Sequence, residues 1–147
     1  MCGIVGYVGK KDCTRVLLDS LKKLEYRGYD SAGVAVFENG EIKISKSKGR
    51  LAVLEQKLQK EGWINGTCGI GHTRWATHGE PSDINSHPHG SARVTIVHNG
   101  IIENYQKIKA FLIKKGYTFE SETDTETVAK LLDYYYEGDP MAAIQKV

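Results

Sequence analysis

Apolar positions recur along this chain in two rhythms, and the change from one to the other marks where elements begin and end. GIVGYV (residues 3–8) is a short, nearly unbroken apolar run and predicts a buried strand. From about Asp12 to Glu25 the spacing becomes helical, with Val16, Leu17, Leu21 and Leu24 on one face and Gly28 just beyond. GVAVFENGEIKIS then alternates on both sides of Asn39-Gly40, a strong local signal for a two-residue hairpin turn. LAVLEQKL returns to helical spacing through Leu51, Leu54 and Leu58.

Two further strands are expected at CGIGHTRWA (68–76) and RVTIVHN (93–99). Between them, THGEPSDINSHPHGSA is polar and rich in turn-forming residues; a loop of this length in a small domain usually carries function. IIENYQKIKAFLIKKG predicts an amphipathic helix ended by Gly116, and YTFES (117–121) a short strand. Thr123 stands three residues before Glu126, the spacing of a capping box, and predicts a helix through about Tyr136. Asp139-Pro140 has the form of an N-cap followed by a first-turn proline. The helix it opens is still running at Val147, so a fragment of a longer polypeptide is expected. Strands in hairpins mixed with helices place the fold in the α+β class, with largely antiparallel sheets.

Composition narrows the function. A chain of 147 residues suits one domain with a real core. A net charge of +2 with scattered lysines gives no nucleic-acid footprint, and no apolar run reaches the ~20 residues of a membrane span. The start is neither basic nor continuously apolar, unlike a secretory signal. Cys2, Cys13 and Cys68 form no paired motif, and reduced thiols in the cytoplasm are expected. GIVGYVGKK lacks the spacing and final hydroxyl of a phosphate loop, and GIGHTR lacks the third glycine of a dinucleotide fingerprint. Five histidines (72, 78, 87, 89 and 98) show no zinc spacing, so neither a metal nor a cofactor is expected.

Four stretches carry candidate chemistry. Cys2 directly follows Met1. Removal of Met1 would put an α-amine of pKa ~8 on the same residue as a thiol of pKa ~8.5, a nucleophile with its own base; the alternative is a small core residue. Asn99-Gly100, at the end of a strand, offers an amide side chain and an accessible backbone N–H for an oxyanion, or else is a plain turn. In HTRWATHG, Arg74 suits a carboxylate and Trp75, Thr77, His78 and Gly79 have the makings of a lid, or else the stretch is a strand end with a solvated Arg and a core Trp. Asp124 stands at a helix start, where it either stabilises free N–H groups or holds a ligand ammonium.

Taken in order, MCGIVGYVG, LEYRGYDSAG, GIGHTRWATHGEPSDINSHPH, HNGIIENY and SETDTE resemble the class II glutamine amidotransferases, the Ntn-hydrolase type with an N-terminal cysteine. Within that class they resemble the glutaminase domains of the glucosamine-6-phosphate synthases. The resemblance spans the whole chain. It implies an αββα sandwich of two antiparallel sheets between helical layers, with residues 1–147 forming a glutaminase domain that continues beyond Val147. It further implies hydrolysis of L-glutamine to L-glutamate and ammonia, the nitrogen passing to fructose 6-phosphate on isomerase domains outside this chain. A homodimer through those domains is also implied. Cys2 is the implied nucleophile, with Asn99 and the Gly100 N–H as oxyanion donors. Arg74, Thr77 and His78 are implied to hold the α-carboxylate and Asp124 the α-ammonium, with Trp75 in a closing loop. Arg27 and Gly28 are implied to support the nucleophile region, and His87 to have a positioning role. The glutaminase halves of amidophosphoribosyltransferase and asparagine synthetase, and a non-catalytic glutamine-binding module, are the alternatives.

Overall fold

A computed structural model describes residues 1–75 and 80–147. Strand β1 (Gly3–Val8) is followed by helix α1 (Cys13–Lys22), a short 3-10 turn (Glu25–Arg27), β2 (Ser31–Glu38), β3 (Glu41–Lys48), α2 (Leu51–Glu61) and β4 (Cys68–Arg74). Two short strands, β5 (His89–Gly90) and β6 (Thr95–Ile96), precede α3 (Tyr105–Lys114), α4 (Asp124–Tyr135) and α5 (Pro140–Lys146).

The first four strands form one antiparallel sheet in the order β1-β4-β2-β3. Asn39 and Gly40 both take positive φ, 52° and 86°, and close the β2–β3 hairpin between Glu38 and its partner Glu41. Strand alternation gives β2 two different faces. Ala32, Val34 and Val36 point into a core with Leu17, Leu18 and Leu21 of α1 and Leu51, Leu54 and Leu58 of α2. Leu18, rather than the expected Val16, completes the buried face of α1, whose Asp12 side chain caps Arg15 N at 3.3 Å. On β4 this face is nearly bare: a Cβ on Gly69 would meet Cys13 Sγ at 2.8 Å, and one on Gly71 would meet Leu21 Cδ1 at 2.9 Å. Helix α1 can therefore lie close against the sheet.

The opposite face of the sheet carries the polar side chains. His72 and Arg74 of β4 point there, and Gly33 of β2 pairs with His72. A side chain at Gly33 would come within 2.0 Å of the His87 carbonyl oxygen, so the bare position lets the 80s segment lie on the sheet. The β5–β6 ladder and α4 pack on this side, with α3 and α5 against α4. The layers thus run helix, sheet, smaller sheet, helix, as expected of the fold class.

Three local expectations are corrected. The strand expected at 93–99 pairs only at Thr95–Ile96, because Arg93 and Val94 donate their N–H groups to Ser91 Oγ and the His98 carbonyl faces His72 Nε2 at 3.2 Å. No strand forms at 117–121: the N–H groups of Glu120 and Ser121 donate to the Glu126 carboxylate at 3.0 and 2.7 Å. The capping box is not made: the Glu126 carboxylate is taken by Glu120 and Ser121, the Thr123 N–H donates to Ser121 Oγ at 3.3 Å, and Thr123, although the N-cap of α4, has no side-chain cap bond. Among the described residues no helix is long and apolar enough to cross a membrane.

Candidate active site

The chain's start crosses beneath the end of β4. The Met1 amino group donates to the Arg27 carbonyl at 2.7 Å, and Arg27 Nη2 reaches Met1 Sδ at 3.8 Å. Gly28 lies so close to the Thr73–Arg74 backbone that a Cβ would meet Thr73 O at 3.0 Å. Arg27 thus holds Met1, while Gly28 lies against the end of β4. Cys2 Sγ accepts from the Trp75 N–H at 3.3 Å and approaches the Trp75 carbonyl at 3.6 Å. The Trp75 ring turns outward, half exposed, edge-on to Tyr29 with centroids 5.6 Å apart.

Cys2 opens onto a cavity of about 220 Å³ that Arg74, Trp75, His87, Asn99, Gly100 and Asp124 also line. Sequence-distant candidates from the residue before β1, the end of β4, the 80s segment, the segment after β6 and the start of α4 therefore line one cavity. Arg74 is 3% exposed, with Nη1 toward the Glu80 carbonyl at 3.5 Å. Asp124 is 4% exposed, and its Oδ2 accepts from the Ile102 N–H at 2.7 Å. Its backbone-stabilising role is thus exercised on the neighbouring segment, and Thr125 Oγ1 approaches Oδ1 at 3.5 Å. Thr77 and His78 lie outside the described residues.

His87 is joined by residues that the sequence pattern did not single out for this site: His98, Thr123 and Thr125 also line the cavity, and His72 and His89 stand behind it. The His72 and His87 rings stack with centroids 4.2 Å apart, and His89 meets His87 edge-on at 4.7 Å. Burial holds His72 down at about 4 and His89 at about 3, and it depresses His87 as well, helped by the neighbouring His72 and His89. All three are neutral at physiological pH. His89 Nε2 bonds Thr123 Oγ1 at 2.9 Å, and His98 Nδ1 bonds Thr125 Oγ1 at 3.3 Å. Among the described residues no group of three or more His, Cys, Asp or Glu side chains is placed to hold a metal ion. The local clue to His98 was its place beside Asn99; His72 and Thr125 gave none.

Comparison with known proteins decides the family. The family model for the glutamine amidotransferase domain matches residues 59–142, a span that includes Arg74, His87, Asn99, Gly100 and Asp124. The chain belongs to this family. Its relatives in the family include glutamine–fructose-6-phosphate aminotransferases (isomerizing). That of Caldanaerobacter subterraneus subsp. tengcongensis is 62% identical over 149 residues, covering 100% of this chain and 24% of the relative. That of Clostridium perfringens is 62% identical over 99% of this chain, again 24% of the relative. One from Thermus thermophilus is 52% identical, with the same two coverages. The chain thus spans about 24% of the length of these relatives. Among solved structures, glutamine phosphoribosylpyrophosphate amidotransferase from B. subtilis superposes with a TM-score of 0.80 at 24% identity, over 99% of this chain and 32% of that one. A structure described as the allosteric regulatory enzyme of purine biosynthesis gives 0.83 at 24% identity, with the same coverages. These likenesses show the fold, the Ntn-type α+β sandwich of amidotransferase domains.

Proposed function

We propose that residues 1–147 belong to a glutaminase domain that hydrolyses L-glutamine, and that the ammonia serves to make glucosamine 6-phosphate from fructose 6-phosphate. The observation that carries this reading is the shared cavity onto which Cys2, Asn99, Gly100, Arg74 and Asp124 all open. The relatives named for fructose 6-phosphate support the acceptor. In this reading the acceptor chemistry belongs to isomerase domains in the rest of a cytoplasmic polypeptide, which also carry a homodimer contact.

The chemistry follows from the groups at the wall. With Met1 removed, the free amine of Cys2 takes the thiol proton, and Sγ attacks the carbonyl carbon of the glutamine side chain. Negative charge then builds on the former carbonyl oxygen, where the Asn99 amide and the Gly100 N–H donate to it. Collapse breaks the C–N bond, and the ammonium just formed on Cys2 protonates the departing nitrogen, leaving a thioester and ammonia. Water, deprotonated by the same amine, attacks the thioester and releases glutamate and the thiol. Arg74, with Thr77 and His78, holds the substrate carboxylate, and Asp124 holds its ammonium through the carboxylate edge that Ile102 leaves open. In this reading Trp75 belongs to the loop that closes over the site, and Arg27, Gly28 and His87 keep its walls in place.

The test compares the Met1-cleaved chain, the Met1-retained chain and Cys2→Ala, each with its mass confirmed, for glutamate and ammonia release. Activity is expected only in the cleaved form, because an amide nitrogen has no basic lone pair with which to take the thiol proton. Equal rates with and without Met1 would assign the base elsewhere. Undiminished turnover in Cys2→Ala would remove the reading altogether.

A further inference from the structure

Asn99 and Gly100 belong to a five-residue segment, His98–Ile102, that leaves β6 and turns across the cavity before α3 begins. Both residues are solvent-exposed, and the segment is not part of a helix or strand. Donors that must meet a developing charge at hydrogen-bond distance cannot be left to wander, since a misplacement of about 1 Å can cost a hundredfold in rate. The question is what fixes them.

The segment is pinned at both ends. At its far end the Ile102 N–H donates to Asp124 Oδ2 at 2.7 Å. At its near end the His98 carbonyl faces His72 Nε2 at 3.2 Å. A carbonyl can only accept, so His72 carries its proton on Nε2. Its Nδ1 is buried without a hydrogen-bond partner among the described residues. The His98 ring is held separately by Thr125 Oγ1 at 3.3 Å, and it lies under Gly100, where a Cβ would meet His98 Nε2 at 2.9 Å. His72 is itself enclosed: it is 0% exposed, sits within the sheet opposite Gly33 and Ile4, and is stacked on His87.

We infer that His72, assisted by Thr125, is a positioning residue that holds His98 so that the Asn99 amide and Gly100 N–H stay aimed at the reacting carbonyl. This rests on the glutaminase reading above. His72 does not line the cavity; it reaches it through the segment it grips and through His87, on which it is stacked and against which His72→Phe would keep an aromatic ring. Its burial suits the task, because a ring kept neutral near pH 7 keeps one fixed donor without adding a charge behind the oxyanion site.

The arrangement separates binding from turnover. His72→Phe preserves an aromatic ring against His87 but removes the donor; kcat for glutamine hydrolysis should fall roughly 10- to 100-fold with KM nearly unchanged. His72→Gln places an N–H near the former Nε2 and should recover most of that loss. Thr125→Val, nearly the same in volume, should lower kcat by a smaller factor; because Thr125 also lines the cavity and its hydroxyl approaches Asp124 Oδ1, this variant is read on kcat alone, and it carries the test if His72→Phe fails to fold. Because both act through Asn99 and Gly100, adding Thr125→Val or His72→Phe to Asn99→Ala should cost far less than in the parent. Full kcat in a folded His72→Phe or Thr125→Val, or losses that simply multiply in the double variants, overturns the inference while a crippled Asn99→Ala leaves the glutaminase reading standing. Full kcat in a folded Asn99→Ala would assign the oxyanion role elsewhere and overturn the inference, while the glutaminase reading stands or falls with Cys2→Ala.

Discussion

Three thiols share this chain in three different settings. Cys13 is fully enclosed between α1 and the sheet, and its thiol is pushed up to about 11 by burial, with Cys68 and Asp12 adding to the effect. Cys68 is exposed at the start of β4, and Cys2 is half-buried at the cavity wall. A small alkylating agent should therefore reach Cys2 and Cys68 but spare Cys13, whereas a glutamine-shaped electrophile should modify Cys2 alone, with glutamine protecting it. Peptide mapping decides; a glutamine-shaped label found chiefly on Cys68 would end the role given to Cys2. At this scale the sequence was legible where chemistry came in short contiguous phrases. Cys2 behind Met1, Arg74-Trp75, Asn99-Gly100 and Asp124 each stood in such a phrase, and the cavity brings them together. His72 and Thr125 were not legible as site residues. Their partners come from other elements, and a buried histidine inside a strand looks the same in sequence whether it grips a loop or fills a core.

At the scale of elements, the helices and the four strands of the larger sheet announce themselves because a long periodic face must be buried somewhere. The β5–β6 ladder pairs only two residues on each strand, too few for any period to show. The strand expected at 117–121 failed for a different reason: its N–H groups found a side-chain carboxylate, Glu126, instead of a neighbouring strand. The meeting of β2 with the 80s segment is the least visible contact of all, since its sequence signature is one missing side chain. Gly33→Ala would drive a Cβ to within 2.0 Å of the His87 carbonyl oxygen, whereas a Cβ at Gly6 on β1 meets nothing within 4 Å. Gly33→Ala should accordingly destabilise the fold by about 1–3 kcal/mol and displace His87 from His72. Gly6→Ala should stay within about 0.5 kcal/mol of the parent. Urea midpoints of the two variants measure the difference, and equal midpoints would mean that the 80s segment does not lean on Gly33.

For the molecule as a whole, the buried histidines tie stability to pH. His72, His87 and His89 are neutral in the fold but free to take a proton near 6.5 when the chain unfolds. The unfolded chain thus binds more protons below that pH, and stability drains away as pH falls from 6.5 toward about 4 for His72 and about 3 for His89. Each histidine contributes up to about 1.4 kcal/mol per pH unit within its window. Between pH 6.5 and 5.5 ordinary carboxylates remain charged, so the loss in that interval belongs to the histidines. Urea midpoints at pH 7.5, 6.5 and 5.5 should be highest at 7.5 and fall progressively; a flat series would show that the three rings accept protons within the fold.

The two tryptophans of the chain live in unlike surroundings. Trp63 is fastened far from the cavity, its Nε1 donating to Asp12 at 2.9 Å and Arg15 lying 4.8 Å from its ring centre. Trp75 touches the Cys2 sulfur through its peptide group while its half-exposed ring rests against Tyr29. Any change at the cysteine pulls directly on the backbone of that indole. With Trp63 replaced by Phe, the colour and intensity of the remaining fluorescence become a built-in optical gauge, reading in real time whether the cavity is filled, alkylated or empty.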